Sequence, residues 1–340
     1  MRRITLVVAE HGSFVGKRGD RIVVRPRGGP AQEYSVRSLE LILVTGRGVT
    51  VSNEALKLAC SRGVPVFFAY PSGYPYAAVM PAVSTGSADT RREQILAKYD
   101  HRGTELAREF VRGKLVNQAS LLRSAALSRG RTDPALADKL VAAAEAISDL
   151  AEEAASVSGA LDGGAGEALR SIEGRAGKLY WTAFSLMVPS ELGFPGRVKR
   201  GARDVVNCLL NFGYGYLRVR VTAAIFYAGL DAYAGFLHVD RAGRASLALD
   251  LMEEFRPLVV DRAVLTLIAR NQVSKRWLSP SRELSKEAIS SILEALAERM
   301  DSKVGTVGRR VKISTAIRRQ AVAIVSHLKG TGRYRAVTGW

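Results

Sequence analysis

Two different spacings of hydrophobic residues divide the chain near residues 84–90. Before that point, short apolar runs at residues 4–8, 22–24, 41–44 and 64–68 alternate with Gly, Pro and Asn turns, as strands do. One segment, 53–60, instead carries apolar residues at helical spacing, with Ser52 or Asn53 as its N-cap. Residues 1–84 are therefore predicted to form a small β-rich domain.

From Thr90 onward the apolar positions recur at helical spacing. A short segment rich in Gly, Ser and Thr precedes this change and predicts a linker at 85–90, followed by a second domain at 91–340. An acidic, alanine-rich stretch at 138–153 ends at a glycine cluster, which predicts a solvated helical excursion. The predicted fold class is α+β, with a small N-terminal β-rich domain and a larger, all-helical C-terminal domain.

Charge adds a partner to this picture. The 340 residues include 50 Lys and Arg against 32 Asp and Glu, a formal net charge of +18. A protein so charged favours a polyanion such as nucleic acid, although basic composition also occurs as adaptation to hot habitats. The C-terminal stretch is almost entirely cationic and favours phosphates, with a solvated face as the alternative. Its cations are Arg299, Lys303, Arg309, Arg310, Lys312, Arg318, Arg319, Lys329, Arg333 and Arg335, opposed by Asp301.

Membrane and disulfide classes are disfavoured. No apolar stretch reaches spanning length, and the N-terminus has no small-residue cleavage site, which predicts a cytoplasmic protein without a membrane partner. Cys60 and Cys208 are too few for a disulfide framework or a thiolate zinc site, and both are interpreted as buried thiols.

A histidine and three carboxylates form the first chemical candidate. An apolar segment ends in a glycine-punctuated turn at His238, and the following helix carries Asp250, Glu253 and Glu254. Residues spaced i, i+3 and i+4 are neighbours on a helix, so these carboxylates are expected to share a face and to need a cation. Pro257 cannot donate to the carbonyl of residue 253, which loosens the helix there. The alternative is a polar cap with acids that answer the helix dipole.

A second candidate lies at residues 171–181. It places Glu173 between glycines that permit close approach, beside Arg175 and Lys178, which could grip phosphate oxygens. The aromatic pair that follows could pack beneath the site or stack on a base. Taken alone, the segment equally fits a helix start in which Glu173 pairs with a neighbouring cation and the aromatics enter the core.

Four motifs in order carry a family resemblance. They are Ile172-Glu173-Gly174 followed by Tyr180-Trp181; Asn207 and Asn211 with Tyr214 and Leu217; residues 229–238 ending in His238; and residues 246–257. Together they resemble the CRISPR-associated integrase and endonuclease that captures new spacers, the first of the numbered Cas proteins. The resemblance covers most of the chain.

This resemblance implies a catalytic metal site. Glu173, His238 and Glu253 would bind a divalent ion, with Asp250 and Glu254 as reserve ligands or supporting groups. The ion would be Mg²⁺ or Mn²⁺, since carboxylates suit both and an imidazole ligand suits Mn²⁺ better. It would polarise a scissile phosphate and activate water or a DNA 3′-hydroxyl, giving a cut or a joined strand.

The same resemblance suggests how DNA is held. Arg175, Lys178 and Arg256 lie beside the predicted ligands in sequence and are placed nearest the phosphates, with ion pairing to the acids as the alternative. Tyr214 either positions DNA or is a core residue. The asparagines at 207 and 211 either orient helices or contact the DNA backbone.

Expected partners follow from the family. They are double-stranded and branched DNA, a second copy of the chain bound through the N-terminal domain, and a small protein, the second of the numbered Cas proteins. Two alternatives stay open: a structure-specific nuclease acting on branched DNA in repair, and a non-catalytic nucleic-acid scaffold.

Overall fold

The N-terminal part is built from two four-stranded sheets. The computed structural model describes residues 4–82, 87–306 and 309–339. One sheet has the order β1-β5-β7-β8 and the other β4-β3-β2-β6. Their strands are β1 (Ile4–Val8), β2 (Phe14–Arg18), β3 (Arg21–Arg25), β4 (Gln32–Ser35), β5 (Leu39–Val44), β6 (Thr50–Val51), β7 (Val66–Ala69) and β8 (Pro75–Val79).

The predicted strands are confirmed, as is the helix among them. Helix α1 (Asn53–Ser61) begins where predicted, and the Ser52 side chain accepts a hydrogen bond from the Ala55 amide as its N-cap. The apolar pattern did not predict β2, β4, β6 and β8. Strands β2 and β8 expose most of their residues, β4 has no fully buried residue, and β6 has only 2 residues. Residues 85 and 86 of the predicted linker lie outside the described residues, whereas Ser87 is the N-cap of a helix that begins at Ala88.

Strand β5 packs against both parts of the chain, because its side chains point alternately to its two faces. Ile42 and Val44 pack toward the second sheet and α1. Leu41 and Leu43 point the other way, into the core shared with the C-terminal helices. The Arg220 guanidinium, largely buried on a C-terminal helix, also forms an ion pair with Glu40 at 2.5 Å. The boundary between 1–84 and 91–340 stays a prediction.

The C-terminal part is mostly helical, which confirms the α+β class. Its helices are α2 (Ala88–Leu96), α3 (His101–Arg129), α4 (Pro134–Ser156), α5 (Gly166–Leu186), α6 (Val205–Tyr227), α7 (Ser246–Met252), α8 (Arg262–Ala269), α9 (Lys286–Asp301) and α10 (Ile313–Leu328). None of the helices in the described ranges combines the length and apolar content that crossing a membrane requires.

One strand pair interrupts the helices, so this part is not all-helical. Strands β9 (Lys303–Thr306) and β10 (Arg309–Lys312) form an antiparallel hairpin between α9 and α10. Val304 is buried and pairs across the two strands with Val311. Such a short alternation is hidden in sequence by the run of cations around it.

Helix α4 is not the solvated excursion expected of its composition. It lies along α3 and α5 and buries one face, including Leu140, Ala144 and Ile147. Alanine permits close helix contact, so the acidic residues occupy only the outer face.

The two cysteines are free, as expected, but they are only partly buried. Burial nevertheless raises the pKa of the Cys208 thiol to about 11, with a smaller contribution from Asp204. Cys208 is therefore a poor nucleophile at neutral pH.

Gly113 sets how closely α3 approaches the C-terminal part of the core. A Cβ atom at this position would lie 2.4 Å from Cβ of Ala336 and 3.2 Å from Cβ of Glu254. Both neighbours are themselves buried or constrained by hydrogen bonds, so the contact cannot relax cheaply.

We expect Gly113→Ala to lower the free energy of unfolding by about 1–3 kcal/mol through overpacking. Gly174→Ala, on α5, is the matched control, because a Cβ atom at this position would meet nothing within 4 Å. The control should be more stable than the parent by about 0.5–1 kcal/mol, as alanine favours a helix. Urea unfolding of both variants measures this, and a Gly113→Ala protein as stable as the parent would contradict the packing argument.

Candidate active site

Asp250 organises the loop that carries His238. Its buried carboxylate accepts hydrogen bonds from the backbone amides of Phe236 (2.7 Å), Leu237 (3.1 Å) and His238 (3.0 Å). The loop approaches this closely because residue 235 is glycine: a Cβ there would lie 2.9 Å from Asp250 Oδ2.

The same carboxylate fixes the imidazole. Asp250 Oδ1 lies 2.6 Å from Nδ1 of His238, so Nδ1 carries the proton and donates it. Nε2 is left as the free acceptor and lies 3.9 Å from Oε1 of Glu253. A carboxylate behind an imidazole is the usual support of a metal-binding histidine. Asp250 is thus placed as a supporting group rather than as the reserve ligand.

Glu253 lies where the helix loses its regular form, as Pro257 predicted. A 3-10 turn at Glu253–Phe255 follows α7, and a π turn at Pro257–Asp261 follows that. The Glu253 side chain is buried, yet its Oε1 lies 3.0 Å from Nε of Arg256 and its Oε2 lies 2.7 Å from Nζ of Lys114. Burial opposes ionisation, but attraction to Arg256, Lys114 and His238 outweighs it and holds the pKa of Glu253 below its usual range.

Lys114 joins the third predicted ligand, Glu173, to Glu253. Glu173, on α5, accepts a hydrogen bond of 2.5 Å from Nζ of Lys114, which lies on α3. Burial tends to lower the pKa of Lys114, but the charges of Glu253 and Glu173 outweigh it and the pKa is raised. Lys114 was not among the site residues predicted from the sequence. The available signal was its position four residues after buried Phe110, on the apolar stripe of α3.

The three predicted ligands therefore lie along one chain of contacts: Lys114 bridges Glu173 and Glu253, and Nε2 of His238 lies 3.9 Å from Glu253. Within residues 4–82, 87–306 and 309–339, no three Asp, Glu, His or Cys side chains are grouped closely enough to hold a metal ion as they stand. The donor set nevertheless fits a hard divalent ion: two carboxylates and an imidazole fixed by a carboxylate. Glu253 Oε2 is buried, and the group it meets is Nζ of Lys114 at 2.7 Å.

Glu254 points away from this site, so its place as a reserve ligand was wrong. Its carboxyl group accepts hydrogen bonds from the Val337 amide (2.7 Å), the Tyr334 hydroxyl (3.1 Å) and Nε2 of Gln320 (3.1 Å). Asp250, Glu253 and Glu254 therefore do not share one face of the helix. Successive side chains point in different directions, so the neighbours Glu253 and Glu254 meet different partners.

Burial raises the pKa of Glu254 to about 8, against the opposing effect of its three hydrogen-bond donors. The folded protein keeps this proton up to about pH 8, whereas the unfolded chain loses it near 4.5. The stability that protonated Glu254 gives is therefore full below about 4.5 and is lost as pH rises to about 8.

We expect Glu254→Gln to flatten this dependence, because glutamine does not titrate. The measurement is the free energy of unfolding between about pH 6 and about pH 8, above the raised pKa of Asp261 of about 6. The parent should lose stability across this range and the variant should not. Equal slopes in the two proteins would contradict the assignment.

Tyr214 supports two guanidinium groups. It is buried, and its hydroxyl donates to Asp261, which also accepts from Tyr180 at 2.8 Å. The guanidinium carbons of Arg197 and Arg256 lie 5.1 and 4.8 Å from the centre of its ring. Tyr214 is thus a core residue that positions cations, one of the two roles expected of it.

Arg197 is another site residue that was not predicted from the sequence. It donates to Asn211 Oδ1 (2.7 Å) and to Asn207 Oδ1 (3.0 Å). Asn207 also donates to the Gly196 carbonyl at 2.8 Å, so the two asparagines hold the loop before α6 in place. The available signal in the sequence was Asn207 and Asn211, two polar residues four positions apart on the largely apolar helix α6.

A basic cleft of about 540 Å³ opens beside these groups. The 71–74 loop of the N-terminal part forms one wall, where Arg218 lies 4.8 Å from the ring centre of Tyr74. The charged residues that line the cleft are Arg197, Lys199, Arg200, Arg218, Arg256 and Arg282, with Glu283. Such a cleft suits a phosphate backbone.

Arg175 and Lys178 are not part of this cleft. Both line a groove between α4 and α5 instead, and Arg175 forms an ion pair with Glu153 at 2.5 Å. Two residues along a helix rotate a side chain by about 200°, so Arg175 faces away from Glu173. The structure thus does not bring these two cations to the predicted ligands. Arg256 does lie beside Glu253, in the ion pair given as its alternative role, and its contact with DNA stays a prediction.

The family model described as CRISPR associated protein Cas1 matches residues 6–298. This chain belongs to the Cas1 family. It is 38% identical to the CRISPR-associated endonuclease Cas1 1 of Archaeoglobus fulgidus, over 97% of both chains. The resemblance stated from four motifs is confirmed.

Solved structures of other proteins have the same fold as this chain. A casposase bound to an integration product matches 99% of this chain and 93% of its own, with a TM-score of 0.83 and 23% identity. A Cas6-RT-Cas1–Cas2 complex matches all of this chain and 36% of its own, with a TM-score of 0.78 and 20% identity.

Proposed function

We propose that this Cas1-family protein is a metal-dependent DNA endonuclease and integrase that inserts spacer DNA into a CRISPR array. In this reaction a DNA 3′-hydroxyl attacks a phosphodiester bond. The proposal is carried by one observation: Glu173, Glu253 and the outward Nε2 of His238 converge beside an arginine-lined cleft.

Glu173, Glu253 and His238 would hold the ion, either Mg²⁺ or Mn²⁺. When bound, such an ion polarises a phosphate oxygen and lowers the pKa of an attacking hydroxyl. The protein's own part is to fix the donors. Asp250 locks the imidazole so that Nε2 is the ligand atom, and Arg256 holds Oε1 of Glu253 at 3.0 Å.

The cleft would bind the DNA backbone. Arg197, Lys199 and Arg256 line this cleft, and Arg256 also pairs with Glu253. Phosphate contacts carry no base information. Substrate choice would therefore come from DNA shape and branch points, in double-stranded or branched DNA. The proposals of metal dependence and of substrate choice both depend on the arrangement of the three ligands and the cleft.

The assembly would contain two copies of the chain and a small Cas2-type partner. Joining both strands of a spacer requires two active sites, which a symmetric dimer supplies. Tyr70, Tyr74 and Tyr76 at one edge of the first sheet are each half or more exposed, and such an aromatic patch supports an interface through the N-terminal part. The solved Cas1–Cas2 complex of the same fold supports the partner.

A strand-joining assay tests the proposal. Purified protein with its small partner is given a duplex with free 3′-hydroxyls and a supercoiled plasmid bearing the repeat, in Mn²⁺ or in EDTA. We expect joined product only with Mn²⁺ and none from His238→Ala. His101→Ala is the control, because His101 is exposed at the start of α3.

Other outcomes would identify a different function. Cutting of branched DNA without joining would favour a repair nuclease. Binding without cutting or joining would overturn the metal site and leave a nucleic-acid scaffold.

A further inference from the structure

The Lys114 ammonium lies where the two glutamates of the site face one another. It is 2.5 Å from Oε1 of Glu173 and 2.7 Å from Oε2 of Glu253, and its side chain is only 13% exposed. These oxygens come from α5 and from the turn after α7, two separate elements, and Lys114 joins them from a third.

The backbone that carries Lys114 is held in place. Its neighbour Gly113 packs directly against Ala336 and Glu254. One turn further on, Asn117 donates to the Glu254 and Val337 carbonyls, each at 2.8 Å. The helix cannot slide, so any change of position by the ammonium uses the flexible four-carbon stem of the side chain.

A divalent ion and this ammonium would use the same oxygen atoms. Ligand oxygens lie about 2.0–2.6 Å from a bound Mg²⁺ or Ca²⁺, so an ion on Glu173 and Glu253 would leave no room for Nζ between them. Two cations at that separation also repel strongly in a buried site. Arg256 meets Glu253 on its other oxygen and is stacked on Tyr214, so it need not move.

We propose that Lys114 is an internal competitor for the metal site. Its ammonium holds Glu173 and Glu253 together before loading, and it leaves their oxygens when the metal binds. This inference rests on the proposed function, since it concerns the same ligands.

The exchange has a consequence for the order of binding. Before loading, the charges of Glu173 and Glu253 are cancelled by Lys114 and Arg256. A divalent ion added to these four groups makes the site net positive, and the displaced ammonium remains on its stem nearby. The site therefore attracts a phosphate most strongly after metal has bound.

The test is Mn²⁺ binding by the full chain without DNA. The electron paramagnetic resonance signal of free Mn²⁺ measures how much of the ion is bound. We expect Lys114→Met to bind Mn²⁺ at least about tenfold more tightly than the parent, because the metal-competent state is no longer masked. Lys114→Arg keeps the competing charge and should bind no more tightly than the parent. Lys114→Met binding that is unchanged or weaker would overturn the proposal and make Lys114 a support for the ligands.

His238→Ala separates this inference from the proposed function. If the parent and Lys114→Met hold Mn²⁺ no better than their His238→Ala forms, the metal site itself fails and the competitor with it. If His238→Ala weakens binding but Lys114→Met does not strengthen it, the metal site stands and only the competitor fails.

Thermal unfolding covers the case in which Lys114→Met folds poorly. Without metal the variant should be less stable than the parent, because Glu253 keeps its burial and loses a cation. Mn²⁺ should raise its melting temperature more than it raises that of the parent. If Mn²⁺ raises both equally or restores nothing, or if Lys114→Arg binds Mn²⁺ more tightly than the parent, the proposal is overturned.

Discussion

Glu253→Gln is expected to reduce both DNA cutting and strand joining by about 10³-fold, because metal activation of a phosphoryl group is worth several kcal/mol. Glu253 is the acid that contacts Lys114, Arg256 and the imidazole together. Glutamine is the same size but carries no charge, so the variant loses the ligand; Arg256 loses its partner acid and Lys114 keeps only Glu173. The measurement is the initial rate of joining at saturating Mn²⁺.

Glu254→Gln is the matched control, since it makes the same chemical change one residue away. Glu254 is hydrogen-bonded to the C-terminal segment and has its pKa raised to about 8, so it is largely protonated at neutral pH. Its amide variant should keep activity within about threefold of the parent. If the two variants lose activity equally, the carboxylate that serves the reaction has been misassigned.

Asp250→Ala is expected to cost about 3–5 kcal/mol in the free energy of unfolding, a typical loss when a buried, fully bonded charge is removed. Three backbone amides and the His238 ring lose their acceptor at once, and the carboxylate they meet is completely buried. Metal affinity should also fall by about 10- to 100-fold, because the imidazole loses the support that fixes its tautomer. Denaturant unfolding gives the first quantity and Mn²⁺ titration of the folded variant the second.

Asp240→Ala is the control within the same loop. Asp240 accepts a hydrogen bond from the Gly235 amide at 3.2 Å and pairs with Lys98, but it is exposed. Its loss should cost about 1 kcal/mol or less and leave Mn²⁺ affinity unchanged. An Asp250→Ala protein with the stability of the Asp240→Ala protein would show that the loop does not depend on the buried carboxylate.

Local patterns in the sequence were sufficient to predict much of the secondary structure. The apolar runs of β1 and β5 and the Ser52 cap of α1 have physical causes within a few residues of chain, so they could be predicted. The loosened helix after Glu253 followed equally from Pro257. The hairpin at β9 and β10 was missed because two strands of four residues carry too little alternation to stand out among cations.

The sequence by itself determined the α+β class, the cationic character and, through four family motifs, the candidates Glu173, His238 and Glu253. Only the tertiary structure decided what surrounds them. Lys114 reaches Glu173 across 59 residues of chain, and Arg197 rather than Arg175 lines the basic cleft. Spacing along one helix fixes which side chains are neighbours on that helix, but contacts between helices depend on how the whole core packs.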